Sequence, residues 1–182
     1  LSNKPILAID PGASNCGLSL VSFDKNILTI NDTVLYTPKL NKNNQSIIGI
    51  TKDSIEVYGD RFLRLELLSH WIDGYLSINI IEEVACEAPF YSSFRPSAYG
   101  ALVETVFAIK TLLYKRNIML HMYEPLLVKK RFSGKALANK DLMRSTLENK
   151  ISDGTIQVAD GVNVLSEHVI DSIAVGYCHF LK

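Results

Sequence analysis

The stretch Pro5-Ile6-Leu7-Ala8-Ile9-Asp10-Pro11-Gly12 constrains this chain more than any other. Four apolar residues run straight into an aspartate, a proline and a glycine. A short apolar run bounded by turn residues reads as a buried strand. Pro11 has no N–H to give to a ladder and Gly12 permits a tight turn, so the strand ends at Asp10. A carboxylate is thereby held where the strand leaves the core. On this stretch alone, Asp10 is equally well explained as a residue that starts a turn.

The rest of the chain supplies context. Cys16–Phe23 alternates as a second strand, Asp24-Lys25-Asn26 is a turn, and Ile27–Tyr36 reads as a third strand, so the three form an antiparallel meander. Residues 38–57 are irregular and read as an inserted loop or small hairpin. Phe62, Leu65, Leu68, Ile72 and Leu76 recur at helical spacing over 58–77. Glu82–Glu87 reads as a strand that again ends in a carboxylate followed by a proline, Pro89. Helices are expected over 96–117, 125–132, 140–151 and 166–181, and a strand over 118–123, with a loop at 152–164. Ser166 is placed to cap the last helix. Alternation in the second half implies a parallel portion flanked by helices. The expected fold is therefore α/β: a five-stranded mixed sheet, three antiparallel strands then parallel ones, in a single domain spanning 1–182.

That length suits one full core, and a hydrophobic fraction of 47% is that of a globular chain. No apolar run is long enough to span a bilayer and no signal-peptide pattern opens the chain, so no membrane partner is expected. Cys16, Cys86 and Cys178 are odd in number and widely spaced in apolar contexts, which argues against both a disulfide framework and a zinc site and for the cytoplasm. Net charge is zero, from 19 basic and 19 acidic residues. Residues 110–150 depart from that balance, with ten Lys or Arg against three acids. Such a local excess can bind phosphate, although a solvated helical face would look the same.

Strand order can bring the carboxylates together. If the first strand neighbours the one ending at Glu87, both deliver an acid to one end of the sheet. His168 and Asp171 are three apart and share a helical face. Asp10, Glu87, His168 and Asp171 can then form one cluster from three elements. Clustered carboxylates repel, and Mg²⁺ or Mn²⁺ is the usual remedy for an oxygen-rich set that a neutral imidazole completes. Two such ions can activate a water and stabilise the leaving oxygen of a phosphodiester.

These residues resemble, in order, the motifs of the RuvC-type Holliday-junction resolvases, which have the ribonuclease H-like fold. Ile9-Asp10-Pro11-Gly12 with Gly17 resembles the family's opening strand and first acid. Glu87 with Phe90 resembles its second acid and following aromatic. Pro125, Val128-Lys129-Lys130, Gly134, Ala138 and Lys140 resemble its basic segment. His168-x-x-Asp171-Ser172-Ile173-Ala174-Val175-Gly176 resembles its closing helix.

The resemblance implies a metal-dependent structure-specific endodeoxyribonuclease that resolves four-way junctions, and other branched DNA such as forks or flaps. Asp10 would bridge two Mg²⁺ ions, with Glu87, His168 and Asp171 as the other ligands. Phe90 would pack into the junction centre, with Tyr91 and Phe94 beside it. Arg95, Lys129, Lys130, Lys135 and Lys140 would hold phosphates, which gives binding that weakens steeply with salt. A homodimer is implied, with helix 96–117 as a possible seam, since a four-way junction has two-fold symmetry. Residues 38–57 and the overall neutrality depart from the bacterial pattern and suggest a divergent, phage-type member. A non-catalytic branched-DNA-binding module is the alternative class, and a small phosphotransferase of related fold is a third.

Overall fold

A computed structural model describes residues 4–40, 49–91, 93 and 96–181. Its strands are β1 (Ile6–Asp10), β2 (Cys16–Asp24), β3 (Ile27–Tyr36), β4 (Glu83–Glu87), β5 (Met119–Tyr123) and β6 (Ile156–Val158). Its helices are α1 (Lys52–Tyr58), α2 (Asp60–Ile78), α3 (Pro96–Lys115), α4 (Pro125–Ser133), α5 (Lys140–Ser152) and α6 (Glu167–Phe180). The strands form one sheet in the order β5-β4-β1-β2-β3-β6. The β1–β2 and β2–β3 pairs are antiparallel, and β1–β4, β4–β5 and β3–β6 are parallel.

β1 sits near the middle of the sheet with apolar layers on both sides. Ile6 and Ala8 face one core, shared with α4, α5 and α6. Leu7 and Ile9 face the other, shared with α2 and α3. That explains an unbroken apolar run: a strand covered on both faces has no solvent side to make polar. Residues alternate across a strand, so Asp10 follows Ile6 and Ala8 onto the α6 side.

α6 lies very close to the sheet. A Cβ on Gly176 would come within 2.8 Å of Val21 Cγ2 and 3.2 Å of Ala8 Cβ. The helix packs chiefly over β2 and β1. Ser19 and Ser172, both buried, join their hydroxyls at 2.9 Å across this interface, and Ser172 also donates to the Val169 carbonyl at 2.8 Å. Each hydroxyl therefore has a partner, which keeps buried polar atoms from costing stability.

Three expectations change. The sheet has six strands rather than five, because Ile156–Val158 within the expected 152–164 loop pairs with β3. Leu28 N–H donates to Thr155 O, and Ala159 N–H to Ile30 O, each at 3.0 Å. Three residues are too few to carry a periodicity, so this strand is fixed by its partner alone.

In the 38–57 insertion, residues 41–48 lie outside the described residues, but Lys52–Tyr58 is a helix and not part of a hairpin. Thr51 caps it, accepting from Ser54 N–H at 3.1 Å, and the Ser54 hydroxyl accepts from Thr51 N–H in return. Gly59, at φ 79°, separates α1 from α2. Phe62, expected on the buried face, is 47% exposed, whereas Leu65, Leu68, Ile72 and Leu76 are buried.

Candidate active site

Three elements bring four sequence-predicted residues to one end of the sheet. Asp10 ends β1 and Glu87 ends β4. The two strands are parallel neighbours with Ile9 beside Cys86, so the next residues along, Asp10 and Glu87, come out side by side. Glu87 shares the parity of Ala85, which packs in the α6-side core, so both acids face that helix. The turn after Asp10 is tight: a Cβ at Gly12 would overlap the Asn15 carbonyl.

His168 and Asp171 enter from the first turns of α6. His168 Nδ1 donates to Asp10 Oδ2 at 2.7 Å. Gly17, the partner of Asp10 on β2, makes that approach possible, because a Cβ there would overlap the His168 carbonyl.

The electrostatics show that the acids feel one another's charge. Burial, then the charges of Asp10 and Asp171, push the Glu87 carboxyl up to about 8. Burial, then Asp10, push Asp171 up to about 6. Burial also raises Asp10, against the hydrogen bond and charge of His168. The same bond to Asp10 raises His168. Each carboxylate is held in its charged form only at a cost, which a cation among them would offset.

Three partly buried carboxylates with one imidazole make a donor set suited to a hard divalent ion. Lys129 supplies part of the needed positive charge. Its ammonium lowers the values of Asp10, Glu87 and Asp171 alike. The sequence reading assigned Lys129 to phosphate and missed this role, because nothing in α4 itself points to the ends of β1 and β4.

Lys130, Lys135 and Lys140 are exposed, and Lys129 is half-buried. Lys140 opens α5 and pairs with Glu167, the first residue of α6. Glu167 is thus engaged by a lysine, and its charge still raises both Asp171 and His168. Lys140, Arg144, Glu167 and Asp171 together line a small cavity of ≈ 120 Å³ beside the cluster. Phe90 and Tyr91 follow Glu87 and are 50% and 58% exposed. Arg95, together with Phe94, lies outside the described residues.

Motif reasoning did not single out a second group, Glu83, His121 and His179. It comes from three separate elements, and no spacing along the chain links them. The usable signal was a histidine in the middle of an apolar strand, Leu120-His121-Met122, and another near the end of an apolar helix.

No family model matches the chain. Over 175 residues, 95% of this chain and 91% of the other, it is 25% identical to the crossover junction endodeoxyribonuclease RuvC of Corynebacterium diphtheriae. Its fold superposes on Thermus thermophilus RuvC, solved in complex with a Holliday junction substrate, with a TM-score of 0.70. That match covers 97% of this chain and 93% of that one at 15% identity. It superposes on the yeast mitochondrial Holliday junction resolvase with a TM-score of 0.67 and 14% identity, covering 97% of this chain and 77% of that one. Both superpositions extend over nearly the whole of this chain, so the overall fold, a mixed sheet flanked by helices, is shared.

Proposed function

We infer that this chain, a RuvC-type protein in sequence and fold, is a metal-dependent, structure-specific endodeoxyribonuclease that resolves four-way DNA junctions. One observation carries the reading: Asp10, Glu87 and Asp171 reach one sheet end from β1, β4 and α6, with His168 bonded to Asp10. Carboxylates raised by burial and by one another are what a site for divalent cations needs. Asp10 would be shared by two Mg²⁺ ions, with Glu87, His168 and Asp171 as the remaining ligands. When bound, the ions supply an activated water and stabilisation of the leaving oxygen.

The chain's own residues do the rest. Lys129 holds the three acids toward their charged, ligating form. Lys130, Lys135 and Lys140 are exposed and would hold backbone phosphates, with Lys140 lining the small cavity beside Asp171. The faces of Phe90 and Tyr91, exposed just past Glu87, suit stacking on bases unpaired at a branch point.

A homodimer fits the same substrate, since a two-fold dimer can present two sites to a two-fold junction. α3 supports it. Thr105, Val106, Ile109 and Leu113 are buried, yet Val103 and Phe107 stay exposed on the helix's other side. With Tyr58, Phe62 and Leu65 they line a largely apolar groove with a volume of ≈ 1000 Å³, which a second copy would cover.

The test is Asp10→Asn with Mg²⁺ on a synthetic four-way junction. Cleavage should fall by at least about a thousandfold while junction binding stays within about threefold of the parent. Normal cutting by this variant would remove Asp10, and the reading with it.

A further inference from the structure

The end of β4 away from Glu87 carries a second set of ligand-type side chains. Glu83 opens β4, His121 is the middle residue of β5, and His179 lies in the last turn of α6. Strand alternation puts Glu83 on the same face as Ala85 and Glu87, about 13 Å from Glu87. His121 is the register partner of Ala85 and joins that face. Between His168 and His179, α6 spans about 16 Å, so its two histidines serve opposite ends of the strand.

The three groups converge on one point. His121 Nε2 is 3.0 Å from Glu83 Oε2, and His179 Nε2 is 3.5 Å from the same oxygen. One ligand atom from each residue lies within 4.8 Å of the other two. Two ligands about 2.05 Å from a tetrahedral zinc stand about 3.3 Å apart, and the two spacings to Glu83 Oε2 bracket that value.

The surroundings are built as well. His179 is 6% exposed, and its Nδ1 lies 3.0 Å from the Tyr123 hydroxyl. With Nδ1–H donated to that oxygen, Nε2 keeps its lone pair for a metal, and the ring's orientation is fixed from behind. The His121 ring packs edge-on against His179 with centroids 4.9 Å apart. The side chains of His121 and Glu83 are 24% and 44% exposed, which leaves an entry path.

We propose that Glu83, His121 and His179 form a second metal site that takes a late first-row divalent cation of the Zn²⁺ class. Three protein ligands leave a fourth position for water. Two imidazoles favour Zn²⁺ or Co²⁺ over Mg²⁺, which prefers an all-oxygen shell. The ion would pin β4, β5 and α6 together, and of these β4 carries Glu87 and α6 carries His168 and Asp171. The proposal stands on its own geometry and does not depend on the nuclease reading.

Titration of the purified full chain with Co²⁺ in excess Mg²⁺ tests it, read by the visible d–d bands of a nitrogen-ligated, four-coordinate ion. The expected result is one such ion per chain, displaced stoichiometrically by Zn²⁺. Glu83→Gln and His121→Ala, each at a part-exposed position, should weaken that binding by at least about tenfold, and Tyr123→Phe by about tenfold. Zn²⁺ at about a hundred times its Kd should also raise the parent's Tm by several degrees, with little effect on His121→Ala. Absence of the bands in the parent, or equal bands and affinity in Glu83→Gln and His121→Ala, would reduce the cluster to a hydrogen-bonded one and overturn the site.

Discussion

Gly17 packs directly against the backbone of His168, so closely that a Cβ at Gly17 would overlap the His168 carbonyl oxygen. Gly17 is also the ladder partner of Asp10. One missing methyl group thus lets the start of α6 come down onto the end of β1, where His168 meets Asp10 at 2.7 Å. Gly17→Ala should push the α6 N-terminus outward, costing about 1–3 kcal/mol in stability. Cleavage should fall more than tenfold even under conditions where the variant is fully folded by circular dichroism. Wild-type activity in the alanine variant would mean that the approach of His168 does not matter.

Lys129 gives a second prediction, with a sign. Its charge lowers Asp10, Glu87 and Asp171, so its removal in Lys129→Met raises all three. The acids must be ionised to ligate a metal. The rising limb of the pH–rate profile, measured in single turnover with saturating junction, should therefore move to higher pH in the variant. A uniform loss of rate with the limb unmoved would leave Lys129 a phosphate contact only.

The buried acids also tax the fold. In the folded, metal-free chain Glu87 is raised from its ordinary 4.5 to about 8. Its contribution to stability is complete below pH 4.5 and is lost as pH rises through 8, because the folded state resists ionising it. Glu87→Gln removes that loss. The variant should match the parent near pH 4.5 and exceed it by on the order of 2 kcal/mol at pH 9, by urea denaturation with chelator present. Adding Mg²⁺ should close much of the gap by stabilising the parent alone. A variant no more stable than the parent at pH 9 would show that Glu87 is not strained in the fold.

Legibility in the sequence followed how local each signal was. β1 was readable because Ile6–Ile9 and Asp10-Pro11-Gly12 state both the strand and its end. The last helix was readable from the apolar spacing after Ser166, and it begins at Glu167 with Ser166 at the N-cap position, although the Ser166 side chain makes no capping hydrogen bond. α1 was not, since its capping pair Thr51 and Ser54 follows an irregular stretch with no apolar period. β6 was not, because Ile156–Val158 owes its conformation to β3, over 120 residues earlier. The charge of Lys129 on the acids and the Glu83–His121–His179 group share that reason: each is a meeting of elements that only the sheet order brings together.

Cleavage mapping on synthetic DNA tests the central claim most directly. Four-way junctions with varied central sequence, replication forks and linear duplex would be incubated with the purified chain and Mg²⁺, and the nicks located on every strand. The account predicts paired nicks on opposite strands, symmetric about the junction centre, with linear duplex left intact. Cutting confined to flaps or forks, or equal cutting of linear duplex, would contradict it.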